Sequence, residues 1–277
     1  MVKSIQSSHS PVLLLDSGNT CPIVGKERKA RTDITIKSFD IIGYSAVNAG
    51  SNEICCPQSL LNRERPSFPV ISSNLLKKDT KEPAVEPFVI KSVGAIRVGI
   101  LGILPTDALS DWPDSSYLNQ YDIISPELAV NQYLPEMKQK TDLIILLSQC
   151  SPAATRHLVQ NTKGIDVAIV SGRDNAPAQP AGDCENDPTV NRLIKNEPVI
   201  LYSGQNGTTI GYLKVIFSKN NDRVEYHNKT IKLGKAISDD PEIKLMIDSF
   251  LYDPSRLKSL RTLQNPKNKN EIEALQQ

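Results

Sequence analysis

Short apolar runs alternate with longer amphipathic stretches along the 277-residue chain. Pro11 to Leu15, Ser45 to Ala49, Phe68 to Ser72, Arg97 to Leu104, Asp142 to Ser148 and Ile165 to Val170 are rich in β-branched residues and bounded by turn formers, so they read as strands. Between the first two, Ile34, Phe39 and Ile42 fall on one face of a helix over Thr32 to Ile42, and Gly43 supplies the left-handed residue that ends it. Ser125-Pro126 opens another helix in the favoured cap-then-Pro order, with Val130, Leu134 and Met137 on one face and a bend expected at Pro135. Strands alternating with helices predict an α/β fold.

After Pro198 the pattern changes. Val199 to Tyr202, Ile210 to Phe217 and Arg223 to Lys232, separated by Gly and Asn-Asp turns, read as antiparallel sheet. Asp239-Asp240-Pro241 opens a helix through Ile243, Met246, Ile247 and Phe250, with acidic residues at its positive end. Beyond Tyr252 apolar anchors become sparse, and Asn265 to Gln277 reads as a solvated tail. The expected organisation is one domain over residues 1–252 and a polar tail over 253–277.

Charge removes some function classes. Lys plus Arg (32) nearly balances Asp plus Glu (31), so no bulk field draws nucleic acid or an anionic membrane. No window holds the roughly 18 consecutive apolar residues of a membrane span. MVKSIQSSHS lacks the apolar segment of a secretory signal, which makes the chain cytoplasmic as written. Five cysteines without CxxC spacing indicate neither a disulfide framework nor a zinc ribbon.

The chemistry concentrates where strands end. VLLLDSGNT (Val12 to Thr20) and GYSAVNAGSNE (Gly43 to Glu53) each carry an apolar run into short polar side chains, the place where α/β proteins put their sites. Taken in order, LLLDSGN, GYSAVNAGSNE, FPVISSN, IRVGILGI, TDLIILLSQ, GIDVAIVSGRDN and PVILYSGQNGTTIGYLKVIF resemble the calcineurin-like metallophosphoesterases, specifically the amino-terminal catalytic domain of the 5′-nucleotidase family. The resemblance covers roughly residues 1 to 250. It implies a four-layer α/β/β/α sandwich of two mixed sheets, and a nucleotide-hydrolysing phosphoesterase site with two divalent metals held at strand ends.

Two-metal hydrolysis needs anionic, imidazole and amide ligands that hold the ions about 3.5–4 Å apart. Against the family pattern, this chain has Asn19 where the bridging Asp of Gly-Asp belongs. Ser51 and Asn52 replace the Asn-His of Asn-His-Glu, with Glu53 retained. Gln149 replaces a metal-binding His, and Arg173-Asp174-Asn175 replaces His-x-His. The Asp-x-His of the opening strand has no counterpart. The chain starts inside what reads as the following helix, so the resemblance implies a fold without its first strand, to be completed by an upstream segment or a protein partner. His9, His157 and His227 fall outside the motifs.

These substitutions predict a pseudoenzyme with no divalent cofactor, whose vestigial pocket of Asn19, Ser51, Asn52, Glu53, Gln149, Arg173 and Asn175 binds a small anion such as phosphate or serves an interaction. A fixed guanidinium at Arg173 opposes a dication and suits an anion. One alternative is residual metal-dependent hydrolysis of phosphoric esters. The other is a thiol redox or soft-metal role for Cys21, Cys55, Cys56 and Cys150, which the family fold would gather at the rim of the site. Family members are commonly exported, so the compartment stays open.

Overall fold

The computed structural model of the protein describes residues 1–8, 11–21, 27–54, 66–110, 119–171, 198–204, 207–217 and 224–251. In chain order its elements begin with α1 (Val2–Ser8), β1 (Leu15–Asp16), α2 (Arg28–Ile42), β2 (Ala46–Asn48), α3 (Ser51–Ile54), β3 (Val70–Ile71), β4 (Leu75–Lys77), β5 (Phe88–Val93) and β6 (Ile96–Ile103). They continue with β7 (Tyr121–Ile123), α4 (Pro126–Lys140), β8 (Leu143–Ser148), α5 (Pro152–Asn161), β9 (Val167–Val170), β10 (Val199–Tyr202), β11 (Thr209–Phe217), β12 (Val224–Lys232) and α6 (Pro241–Leu251). The chain divides into two compact units, Met1–Ile237 and Ser238–Gln277.

Side-chain alternation sets the layers of the first unit. In β8, Leu143, Ile145 and Leu147 enter one core while Ile144 and Leu146 enter another, and β6 divides Val98 and Ile100 from Leu101 and Ile103 in the same way. A strand buried on both faces has no polar side to show, which is why these segments read as unbroken apolar runs. They belong to a five-stranded sheet in the order β10-β9-β8-β6-β5. Its pairings are parallel apart from β5 with β6.

One face of this sheet is covered by Val130, Leu134 and Met137 of α4 and Leu158 and Val159 of α5. The other meets Leu15, Ala46 and Ile71 of a second sheet, β1-β2-β3, and Leu13 just before it, together with Leu213, Val215, Phe217 and Tyr226 of the β11–β12 pair. The outer face of the second sheet takes Ile36 and Phe39 of α2 onto Val47, Ala49 and Val70. The order helix, sheet, sheet, helix is the four-layer α/β/β/α arrangement. Each fully buried Ile or Leu in these cores contributes roughly 1.5–3 kcal/mol.

Gly43 ends α2 as the sequence predicts, with φ 85° and its N–H on the carbonyls of Phe39 and Asp40. The Tyr44 ring then stacks on Phe39 at 3.9 Å, closing the cap with an apolar contact. One expectation changes. Val199–Tyr202 does not join the antiparallel region; it pairs in parallel with β9, because Val199 and Leu201 fit the inter-sheet core and Ile200 packs against the helical side. The helix α4 is continuous across Pro135. In the second unit α6 starts where the Asp-Asp-Pro signal puts it, Asp240 Oδ1 accepting the N–H groups of Glu242 (3.1 Å) and Ile243 (3.3 Å).

Candidate functional site

The carboxyl ends of β1, β2, β6 and β8 come together, and the polar residues that follow them bond across the two sheets. Asn48, at the end of β2, donates through Nδ2 to the carbonyls of Ser17 (3.2 Å) and Ile103 (3.1 Å). Ser17 Oγ donates to the Ile169 carbonyl at 3.4 Å. Gln149, one residue past β8, donates through Nε2 to the Ser17 carbonyl at 2.7 Å. Asn74 makes a similar staple further along, donating to the carbonyls of Leu104 (2.7 Å) and Ile124 (3.0 Å) and accepting the Leu104 N–H at 2.9 Å.

Glu53 is the most heavily bonded group of the site, and its residue is fully buried. Its carboxylate accepts the backbone N–H groups of Asn19, Thr20, Cys21 and Gly50 at 2.8–2.9 Å, and the Thr20 hydroxyl at 3.0 Å. Successive N–H groups turned inward form an anion nest, and Asn19 at φ 64° makes the required left-handed bend. Gly18 before it has φ 96° and lies so close to β2 that a Cβ would sit 2.5 Å from the Asn48 carbonyl oxygen, which restricts the position to glycine.

Next to this charged nest lies a neutral cluster. Asn19 Nδ2 donates to Gln149 Oε1 at 2.6 Å. Asn19 Oδ1 accepts the Ser51 hydroxyl at 3.2 Å and the Asn52 N–H at 3.1 Å. Asn52 Nδ2 donates to the Cys21 carbonyl at 3.0 Å. Thus Asn19, Ser51, Asn52, Glu53 and Gln149 of the expected pocket lie in one network, while Arg173 and Asn175 fall outside the described residues. The groups bond chiefly to one another.

Asp16 keeps a minor share of its surface in water. Burial pushes its carboxyl up to about 7, the Gly18 N–H (2.7 Å) pulls it back, and the charge of Glu53 adds to the rise. Burial also raises the Tyr44 phenol, with a contribution from Asp16.

Of the four thiols expected at one rim, two lie among the described residues, and they pack into different cores. Cys21 packs beneath α2 and Cys150 beneath α4 and α5, because their side chains leave the strand ends toward opposite layers. Burial pushes the Cys150 thiol up to about 11, so it stays protonated at neutral pH. Cys55 and Cys56 lie outside the described residues.

The sequence reading missed Asn48, Asn74 and Ser17. The signal was present: AVN and ISSN each end a buried strand on a lone amide, and a polar group there must find a partner across the fold. Among the described residues, Asn48 Oδ1 is the buried side-chain atom left without one, and it lies against Gly102. Among the described residues no group of three or more His, Cys, Asp and Glu side chains is placed to hold a metal ion.

No family model matches the sequence. The chain is similar to the 5′-nucleotidase of Vibrio cholerae, 23% identical over 291 residues that cover 94% of this chain and 51% of that protein. Among solved structures it is similar to a 5′-nucleotidase precursor from Thermus thermophilus, with TM-score 0.74, 18% identity, and coverage of 95% of this chain and 52% of that one. It is also similar to the calcineurin-like phosphoesterase YfkN of Bacillus subtilis, with TM-score 0.66, 17% identity, and coverage of 90% and 86%. The chain spans about half the length of the curated relatives first matched, 51% and 44%.

Proposed function

We propose that this metallophosphoesterase-like domain, a relative of the amino-terminal domain of the 5′-nucleotidases, acts by binding rather than by hydrolysis. The supporting observation is the Asn19–Gln149 hydrogen bond of 2.6 Å, with Ser51 and Asn52 closing on the other end of the Asn19 amide. A dinuclear centre needs anionic and imidazole donors directed at the ions. Among the described residues the positions that resemble its ligands carry neutral amides and a hydroxyl, already bonded to one another. The donor set does not fit a divalent pair.

The surviving carboxylate does not supply the missing chemistry. Glu53 has five donors on its two oxygens, so it is committed to the loop and has little capacity left for an ion. A neutral polar pocket suits a small oxyanion such as phosphate, with Arg173 as the countercharge that the sequence reading assigns to it.

The test is phosphate release from nucleoside monophosphates by the purified chain with Mg, Mn, Zn or Co. None is expected, since loss of general acid chemistry alone forfeits about 10²–10⁴-fold. Metal-dependent release that disappears in Asn19→Ala would overturn the reading. Inorganic phosphate is expected to stabilise the parent, by about 2.7 kcal/mol at 100 times its dissociation constant, and not Arg173→Ala.

A further inference from the structure

Each of the two helices over the five-stranded sheet delivers the chain to the amino end of a strand, α4 to β8 and α5 to β9. Their carboxyl ends therefore lie at the opposite end of the sheet from the strand-end cluster. There the structure holds a cavity of about 220 Å³. On the α4 side Leu134 and Pro135 form an apolar wall, flanked one helical turn away on either side by Asn131 and Lys138. The facing wall is made where α5 stops, because Thr162 turns to extended backbone (φ −119°, ψ 104°) and brings its own side chain and that of Lys163 to the cavity beside Asn161.

Two of these groups are set in place by their surroundings. Gly164 has φ 109°, and a Cβ there would sit 1.9 Å from Lys138 Cε, so the lysine stem lies across bare backbone that a larger residue would obstruct. Thr162 is only 7% exposed, yet among the described residues its hydroxyl makes no hydrogen bond. A hydroxyl so buried ordinarily finds a partner, and its place in the cavity wall leaves it for a ligand.

We propose that this cavity is a binding site for a short-chain monocarboxylate, whose carboxylate is held by Lys138, Lys163 and the Thr162 hydroxyl and whose aliphatic part lies against Leu134 and Pro135. Among the described residues no carboxylate lines the cavity, so the two ammonium groups set its sign. Several features limit the ligand to one negative charge. Asp166 acts electrostatically on Lys138 and takes up part of its charge. The last carbonyls of α5 form the negative end of that helix. Pro135 has no N–H to give the Asn131 carbonyl, which leaves a further acceptor in the α4 wall without its helical donor. The volume falls below the roughly 300–1,000 Å³ of ordinary ligand pockets, which suits a small acid and not a nucleotide.

The site is tested by titrating sodium propionate into the isotope-labelled full chain, with ionic strength held constant by sodium chloride, and following backbone amide resonances. Saturable shifts are expected at Lys138, Thr162, Lys163 and Gly164. Lys163 is exposed, so Lys163→Gln removes its charge without entering the core, and Thr162→Val removes the hydroxyl while keeping the shape. Each is expected to weaken propionate binding about tenfold, as the loss of a hydrogen bond to a charged group does. Binding unchanged in both variants, or no saturable shift in the parent, overturns the proposal; in the second case the lysines serve only to offset the end of α5 and Asp166. Arg173→Ala is expected to bind propionate like the parent, and loss of binding there would overturn a separate site by moving the acid to the strand-end pocket. Metal-dependent phosphate release would overturn the binding reading of that pocket and leave the carboxylate site standing.

Discussion

Glu53 and the Asn19–Gln149 pair are neighbours in one strand-end cluster, yet they differ in almost every physical respect. Glu53 is a charge without exposure, held by four backbone N–H groups and a hydroxyl. The amide pair is neutral, joined by one short bond and trimmed by Ser51 and Asn52. The difference separates two reasons for a polar residue at a strand end. A carboxylate that organises backbone donors is part of the fold, and its loss strands them. A carboxylate or imidazole whose partner is an ion is needed for chemistry, and an amide can replace it once the chemistry is dispensable. On the binding reading proposed above, Glu53 is kept because the loop needs it, and an amide serves at Asn19 because the loop does not need an anion there.

The comparison breaks most easily at Glu53. Changing Glu53 to Gln keeps the shape, removes the charge, and turns an NH₂ toward backbone donors that had an acceptor. At least two buried N–H groups then lack partners, each worth about 1–3 kcal/mol, and the charge-assisted strength of the remaining bonds is lost. The expected loss is about 3–5 kcal/mol in urea-induced unfolding, with the midpoint lowered and the slope unchanged. A variant within 1 kcal/mol of the parent, well under one orphaned group, would show that Glu53 is not the organiser described.

Gln149 is the counterpart. Gln149→Ala removes the bond to Asn19 and the bond to the Ser17 carbonyl, both from a residue that is 6% exposed. Asn19 retains Ser51 and Asn52, and water can enter the space left by the side chain, so about 1–2 kcal/mol is expected, clearly less than for Glu53. Equal losses at the two positions would erase the distinction between the carboxylate that organises the loop and the amide that bonds within the cluster.

How much of this was legible depended on how far each signal reaches along the chain. The buried strands β6, β8 and β9 show as apolar runs because both of their faces are covered, and Gly43 shows as a helix end because only a left-handed residue closes that cap. β5 was missed, although Phe88, Val89 and Ile90 are apolar, because Lys91 and Ser92 interrupt the run at the edge of its sheet. α5 was missed despite Ser151-Pro152, the same cap-then-Pro order that revealed α4, and Ser151 Oγ does accept the Ala154 N–H at 3.2 Å. At the site, family resemblance picked out Asn19, Ser51, Asn52 and Gln149. Nothing in sequence order says that Asn19 and Gln149, 130 positions apart, spend their amides on each other. That depends on the register between two sheets, which is a tertiary property.

The smallest expected effect sharpens the comparison from within the nest. Thr20 contributes twice to Glu53 Oε1, through its N–H at 2.8 Å and its hydroxyl at 3.0 Å. Thr20→Val deletes the hydroxyl, keeps the β-branched shape and leaves the backbone donor in place. Oε1 retains the N–H groups of Thr20 and Cys21, and Thr20 is half-buried, so water can take the place of the lost hydroxyl. The loss is therefore expected at about 1 kcal/mol or less, measured against the parent by urea unfolding. It separates the two kinds of donor that reach Glu53. A loss near that of Glu53→Gln would place the stability of the nest in the side-chain hydroxyl rather than in the converging backbone N–H groups, and the account of Glu53 as organiser of the backbone would fail.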